Sequence, residues 1–249
     1  MNKFLKIWTS KNKRQLLDDF SQVKVDFHSH LIPAIDDGVK SAEESIEILN
    51  LFHDYGFQKV ITTPHVMSDF FRNDENSIRT GYNQVIDLLE TQDFSIDFQF
   101  AAEYYLDYEI LNIIKQSKML TLGENFVLIE FSFFNPPEQL TNLIFDLQSS
   151  GYKVILAHPE RYLYFHNNRE KYNELVDRQV FMQINGNSLL GEYGINAKKV
   201  AQWLVQQNLV DFVGSDAHGI AHVEKMKALL YNEYFYELVK SGKLKNHQL

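Results

Sequence analysis

The amino-acid sequence predicts an α/β protein in which seven strand–helix units form one closed or nearly closed barrel. Short apolar runs alternate with longer helical patterns along most of the 249 residues. Repeated strand–helix alternation implies right-handed crossovers and a parallel sheet. No Pro-, Gly- or Ser-rich linker separates the units, which favours a single barrel. A doubly wound open sheet is the alternative.

The strand predictions depend on seven short runs rich in Val, Ile and Phe, which suit strands buried on both faces. They cover residues 23–27, 59–62, 96–101, 126–131, 153–157, 180–184 and 211–214. Helical patterns lie at 41–55, 74–91, 105–117, 138–150, 169–178, 196–208 and 221–240. The first helix has a clear start, because Ser41 and Glu44 fit a capping box and are followed by apolar residues at helical spacing.

Residues 1–22 precede the first predicted strand and are interpreted as an N-terminal extension of a barrel domain spanning 23–249. The extension would either cover the bottom of the barrel or, through its basic residues and Phe4, Leu5, Ile7 and Trp8, meet a membrane surface. Lysines interrupt its apolar residues, so it does not read as a secretory signal. No window approaches the ~18 apolar residues of a membrane span. We expect a cytoplasmic protein.

Composition excludes several classes of function. The chain has no cysteine, so it can hold neither a disulfide nor a thiolate metal site, and it has no cysteine nucleophile. Its 24 Lys and Arg against 33 Asp and Glu give a net charge of −9. A nucleic-acid partner is therefore not expected, since such binders need positive charge over their footprint.

Histidines and carboxylates follow six of the seven predicted strands, at or just past the C-terminal end. In a parallel barrel these ends converge on one face, where active sites are built. The candidate metal ligands are His28, His30, Asp37, His65, Glu103, Glu130, His158, Asp216 and His218.

Five histidines and four carboxylates without sulfur suit zinc, manganese or iron rather than calcium or copper(I). Nine ligands exceed what one ion accepts, so two or three ions are expected. Such a centre keeps residual positive charge for a phosphate dianion and lowers the pKa of bound water toward ~7, which generates a nucleophile. Arg161, three residues after His158, is placed to hold phosphate oxygens.

The motifs DFHSH, IDDG, TPH, AE, IEF, AHPER and GSDAH resemble, in this order, those of the PHP (polymerase and histidinol phosphatase) superfamily. Within it the chain resembles the bacterial manganese-dependent tyrosine phosphatases of capsule and exopolysaccharide operons. The resemblance implies a distorted (β/α)7, TIM-like barrel and a centre of three metal ions, with Mn²⁺ the first choice. It also implies the same nine ligands, with Glu103 bridging and Arg161 contacting phosphate.

The resemblance implies hydrolysis of phosphotyrosine. We expect direct attack of metal-bound hydroxide on phosphorus, with Arg161 and His218 as catalytic residues. The implied substrate is the tail of a membrane-bound bacterial tyrosine kinase that controls capsule synthesis. That partner would place the protein at the inner face of the membrane, and the extension could dock to it. The sequence leaves open whether the protein forms an oligomer.

Two other enzyme classes fit parts of the pattern. A small-molecule phosphomonoesterase such as a histidinol phosphatase would share the metal centre. An amidohydrolase-type metal hydrolase would share the His-x-His motif after the first strand, but Glu130 stands where a bridging modified lysine would be expected.

Overall fold

The computed structural model describes residues 14–107, 113 and 119–249. Parallel strands alternate with helices along these residues, as the sequence predicts. The strands are β1 (Val25–Asp26), β2 (Lys59–Thr62), β3 (His65–Val66), β4 (Asp97–Phe100), β5 (Glu103–Tyr105), β6 (Phe126–Glu130), β7 (Lys153–Ala157), β8 (Phe181–Asn185) and β9 (Phe212–Gly214). The helices are α1 (Ala42–Asp54), α2 (Glu75–Leu89), α3 (Leu140–Ser149), α4 (Glu170–Asp177), α5 (Ile195–Gln206), α6 (Ile220–Met226) and α7 (Glu233–Lys240).

The strands form two parallel sheets. One has the order β1-β2-β4 and the other the order β3-β5-β6-β7-β8-β9. The chain leaves the ladder at residues 63–64, between β2 and β3, and again at residues 101–102, between β4 and β5. Pro64 lacks the backbone N–H that a ladder position needs. The α/β class with parallel sheets is confirmed, whereas a single continuous barrel is not.

A layer of apolar side chains lies between the strands and supports the side chains that follow them. Phe27 and Phe212 are completely buried, and their ring centroids are 5.3 Å apart. Leu128 and Ile155 belong to the same buried cluster. Because Phe27 directly precedes His28, the packing of this layer fixes where the strand ends lie.

Helix α1 begins as predicted, with one difference in its cap. The Ser41 hydroxyl accepts the Glu44 backbone N–H at 3.3 Å. The Glu44 carboxylate accepts the N–H of Lys40 at 3.0 Å, one residue earlier than a complete capping box requires.

The prediction of one helix over 221–240 is wrong. A 3₁₀ turn, Lys227–Tyr231, separates α6 from α7, and Asn232 starts α7 by accepting the Phe235 N–H at 3.1 Å. The break follows from the preference of an asparagine side chain for the helix N-cap. Most of the helix predicted over 105–117 lies outside the described residues.

The described part of the predicted extension packs against the body of the protein. Phe20 is 1% exposed, and its ring lies 5.9 Å from that of Tyr55 and 5.3 Å from that of Phe57. The N–H groups of Leu16 and Leu17 donate to the Leu230 carbonyl. Phe4, Leu5, Ile7 and Trp8 lie outside the described residues. None of the described helices is both long and apolar enough to span a bilayer.

Candidate metal centre

The structure brings all nine sequence-predicted ligand side chains together at the C-terminal ends of the strands. They fall into four overlapping groups, and within each group the ligand atoms lie within 4.8 Å of one another. The groups are His30, Asp37, His65 and His218; His28, His30 and Glu103; His28, His158 and Asp216; and His65, Glu103 and Glu130. Overlap of this kind lets one side chain serve two neighbouring positions.

Glu103, the first residue of β5, lies where the histidines meet. Its Oε2 is 3.2 Å from His28 Nε2, 3.4 Å from His30 Nε2 and 3.3 Å from His65 Nδ1. Its Oε1 is 3.1 Å from His158 Nε2. The Glu103 carboxylate is fully buried, so four imidazoles surround a single carboxylate that water does not reach.

Three of the imidazoles have their orientation fixed by a hydrogen bond from Nδ1–H. The acceptors are Gln183 Oε1 for His28 at 2.8 Å, Asp36 Oδ2 for His30 at 2.9 Å and the Asp216 carbonyl for His218 at 2.9 Å. In the neutral form of each ring the proton is on Nδ1, which leaves the Nε2 lone pair free to bind a cation.

Several buried atoms at the centre have no hydrogen-bond partner. They include His28 Nε2, His30 Nε2, His65 Nδ1 and Glu103 Oε2. An unsatisfied buried polar atom costs about 1–3 kcal/mol, so such atoms are rare in folded proteins. Four such atoms close to one another fit a site that binds cations, because bound cations would give each of them a partner.

The charges of the site shift the pKa values of its groups. Burial alone would lower the pKa of His28, but the carboxylates of Glu103 and Asp216 raise it to about 9. Burial alone would raise the pKa of Glu103, yet the charge of His28 and the hydrogen bond from His158 hold it well below its usual value. Without bound metal the centre is therefore a set of buried ion pairs.

Arg161 lies at the edge of the centre. Its Nη1 donates to Asp216 Oδ2 at 2.9 Å. Its guanidinium lies over the rings of Phe133 and Tyr193, at 4.4 and 4.3 Å from their centroids. Because two rings and a carboxylate restrain the guanidinium, its N–H groups face the cleft in one orientation.

Sequence reasoning missed two polar side chains of β8, the one predicted strand without a ligand. Gln183 Nε2 donates to Asn185 Oδ1 at 2.9 Å, and Asn185 Nδ2 donates to Asp216 Oδ2 at 2.7 Å. The other oxygen, Asp216 Oδ1, is 3.5 Å from His28 Nε2. The two amides lie two residues apart on one face of the strand, a polar alternation that the sequence does contain.

Asp36 was also missed, because only Asp37 of the Asp-Asp-Gly motif was predicted as a site residue. Asp36 is buried, and besides holding His30 it accepts the backbone N–H groups of His65 at 3.1 Å and Gly38 at 2.9 Å. Asp37 is more exposed, and its Oδ1 is 3.2 Å from His218 Nε2. The two neighbouring aspartates therefore have different surroundings.

A cleft of about 350 Å³ opens over these groups. Aromatic side chains form much of its wall: Phe71, Tyr105, Phe131, Phe133 and Phe134. Arg161 and His218 also line it. The cleft thus has histidine and carboxylate side chains that can bind cations at its base, and an aromatic wall that can pack against a planar ring.

Comparison with known proteins places this architecture in a family. Residues 24–226 match the family model described as capsular polysaccharide synthesis, CpsB/CapC. The tyrosine-protein phosphatase YwqE of Bacillus subtilis is 31% identical over 219 residues, which cover 86% of each chain. The tyrosine-protein phosphatase CpsB of Streptococcus pneumoniae is 29% identical over 202 residues, 79% of this chain and 83% of that one.

Solved structures agree with the sequence matches. A structure from work on YwqE and CpsB, described as metal-dependent tyrosine phosphatases, superposes with a TM-score of 0.77 at 30% identity and covers 89% of this chain and 94% of that chain. Histidinol phosphate phosphatase from Lactococcus lactis, at 15% identity and a TM-score of 0.52, shares the fold. The chain belongs to the CpsB/CapC family of capsular polysaccharide synthesis proteins.

Proposed function

We propose that this protein is a metal-dependent protein-tyrosine phosphatase. The observation that carries the proposal is the set of four overlapping histidine and carboxylate groups around Glu103, beneath a cleft that also holds Arg161. The activity named for YwqE and CpsB, which are about 30% identical to this chain, supports the same function.

We propose that all nine side chains of the four groups are ligands of two or three divalent ions. Their nitrogen and oxygen donors, without sulfur, suit Mn²⁺, with iron or zinc as alternatives. Glu103 is the proposed bridging ligand, because its two oxygens face different histidines. When bound, the ions supply Lewis acidity and lower the pKa of coordinated water.

The proposed task of Arg161 is to bind the phosphate. A guanidinium has five N–H donors in a planar fork, so it can donate to Asp216 and to phosphate oxygens at the same time. The stacked rings of Phe133 and Tyr193 keep that fork in place before substrate arrives. Arg161 would thus both orient the phosphate and neutralise charge on its oxygens during hydrolysis.

His218 was predicted in two roles, as a metal ligand and as a catalytic residue that donates a proton. Its Nδ1–H donates to the Asp216 carbonyl, so only Nε2 faces the cleft. Ligation and proton donation would both need that nitrogen, and we favour ligation. A tyrosine phenolate has a pKa near ~10 and leaves with less help from an acid than an alkoxide does.

The proposed substrate is phosphotyrosine on a protein, namely the tail of a membrane-bound tyrosine kinase of capsule or exopolysaccharide synthesis. The aromatic wall of the cleft supports it, since a phenyl ring packs well against such side chains. We infer a cytoplasmic enzyme that works at the inner face of the membrane.

We also propose that the two sheets act as one distorted (β/α)7 barrel. A parallel bridge pairs Ser29 with Ala217, so the segments that follow β1 and β9 are joined at their C-terminal ends.

The test is a comparison of kcat/KM on a phosphotyrosyl peptide and on histidinol phosphate, with Mn²⁺-loaded protein. We expect hydrolysis of the peptide to be preferred. In the variant His158→Ala it should fall by at least about 100-fold, since even an outer partner of a metal ligand is worth about 10–100-fold. The control is His53→Ala, at a histidine whose side chain is 45% exposed on α1.

A preference for histidinol phosphate would contradict the proposed substrate. Hydrolysis of amides without hydrolysis of phosphate esters would contradict the reaction itself. Normal turnover in His158→Ala would contradict the proposed metal centre.

A further inference from the structure

We propose that a second groove, next to the metal cleft, binds an apolar side chain of the substrate polypeptide close to the phosphotyrosine. The inference rests on the proposed function and adds to it a determinant of peptide specificity. We call this region the flanking groove. It has a volume of about 390 Å³, and its lining includes Phe133, Phe134, Arg161, Leu163, Tyr193 and Ile195.

The flanking groove is continuous with the metal cleft. Phe133, Phe134 and Arg161 line both. A phosphate bound by Arg161 would therefore lie at the boundary between the two spaces. One side of the Arg161 guanidinium packs on Tyr193, which belongs to the groove.

The apolar side chains of the groove are unusually exposed. Phe134 is 73% exposed, Ile195 63% and Leu163 51%. They make up three of the seven large hydrophobic side chains that are exposed in the described part of the chain. Apolar surface gathered in one groove marks a binding site more often than apolar residues scattered singly.

The same segments that place Arg161 also place the groove. Leu163 begins the 3₁₀ turn Leu163–Phe165, which starts two residues after Arg161. Ile195 is the first residue of α5 and follows Tyr193, the stacking partner of Arg161, by two residues. The distance from the phosphate-binding group to the apolar wall is thus set by short stretches of chain on both sides.

Because the flanking groove is continuous with the metal cleft, its expected occupant is the polypeptide chain of the substrate itself. An extended peptide advances about 3.3 Å per residue, so a side chain within two residues of the phosphotyrosine reaches a space that adjoins the phosphate position. No aspartate or glutamate is among the described residues that line the groove. Arg161 and His166 are the basic groups among these residues, and the remaining wall is mostly aliphatic or aromatic. An aliphatic or aromatic side chain fits this wall, and a basic one does not.

The experiment measures kcat/KM on phosphotyrosyl peptides that carry Leu or Ser at each position from two before to two after the phosphotyrosine. We expect one position at which wild-type protein prefers Leu by about tenfold, the effect of partly burying such a side chain. Ile195→Ser and Leu163→Ser should remove that preference. Hydrolysis of p-nitrophenyl phosphate, which has no neighbouring residue, should stay unchanged.

Two control variants accompany these. Ile195→Val keeps an apolar side chain and should keep the preference for Leu. Phe145→Ser removes a 65% exposed phenylalanine from α3, which does not line the groove, and should behave as wild type.

Three results would overturn the inference. They are equal rates on all peptides in wild-type protein, a preference that survives Ile195→Ser, and an equal loss on peptides and on p-nitrophenyl phosphate in that variant. A change from oligomer to monomer in Ile195→Ser would assign the groove to a second copy of the chain instead. Failure of the proposed function is distinguishable, since wild-type protein would then hydrolyse none of the phosphotyrosyl peptides.

Discussion

At the scale of single residues, the partner of one imidazole nitrogen decides what the other nitrogen can do. His28 depends on Gln183, and His30 depends on Asp36. A carboxylate partner makes an imidazole a stronger donor than an amide partner does. His28 and His30 are two residues apart in the sequence, but their different partners make them unequal as ligands.

Replacing Gln183 by leucine should weaken metal binding without unfolding the protein. The substitution removes the acceptor for His28 Nδ1–H, so the ring can rotate and its Nε2 no longer has a fixed direction. We expect the affinity for Mn²⁺ to fall by about 10–100-fold. The measurement is competition against a chelator of known affinity.

The matched control is Gln99→Leu, at an exposed glutamine on strand β4. Equal metal affinity in Gln183→Leu and in this control would show that the hydrogen bond to His28 has no effect on binding.

The ligand candidates were accessible from sequence because of their positions. Glu130 ends β6, and His158 directly follows β7, so strand prediction alone selects both. Gln183 and Asn185 were not accessible in this way, because an amide inside a strand has no chemistry that marks it. Their role depends on what lies opposite, which is a property of the folded chain.

At the scale of elements, short strands and loops explain what prediction missed. Strands β3 and β5 contain two and three residues, too few for a periodic pattern to appear. The longer runs β2 and β7 were predicted with their observed bounds. The loop that carries Asp36 and Asp37 has no periodicity at all, and close packing determines its path.

In the loop from His30 to Val39, there is no space for a side chain at Gly38. A Cβ there would lie 2.2 Å from the His30 carbonyl oxygen and 2.5 Å from His30 Cβ. We expect Gly38→Ala to lower the free energy of unfolding by about 1–3 kcal/mol, as overpacking does. It should also weaken metal binding, because the backbone of His30 has to move.

Denaturant unfolding and metal titration of the same variant test both effects. The control is Gly219→Ala, next to His218, where the added Cβ would meet its nearest atom, Glu44 Oε1, at 3.4 Å. Full stability and full metal affinity in Gly38→Ala would mean that the loop is looser than its contacts indicate.

At the scale of the whole molecule, the described residues before β1, from 14 onward, pack against the core. Phe20 contacts Tyr55 at the end of α1, Phe57 before β2 and Phe235 in α7. Residues far apart in the sequence thus meet on one aromatic ring. From sequence, this segment was expected either to cover the bottom of the barrel or to meet a membrane surface, since a 22-residue stretch without periodicity does not reveal its contacts.

Phe20→Ala should lower the free energy of unfolding by about 3–5 kcal/mol, the usual cost of emptying a buried aromatic site. Turnover per folded molecule should stay near the wild-type value, because Phe20 lines neither the cleft nor the flanking groove. Urea unfolding provides the measurement. The control Phe145→Ala removes an exposed ring and should change stability by less than about 0.5 kcal/mol. Equal stability of the two variants would show that the segment is dispensable.

The ion pairs around Glu103 have a consequence for how the protein acquires its metal. Because the pKa of His28 is about 9 before any cation enters, this ring favours the imidazolium form at neutral pH, with a second proton on Nε2. A metal ion that binds His28 therefore displaces a proton, and metal affinity should decrease as the pH is lowered. Until a cation replaces those protons, the imidazolium and carboxylate groups balance one another's buried charge.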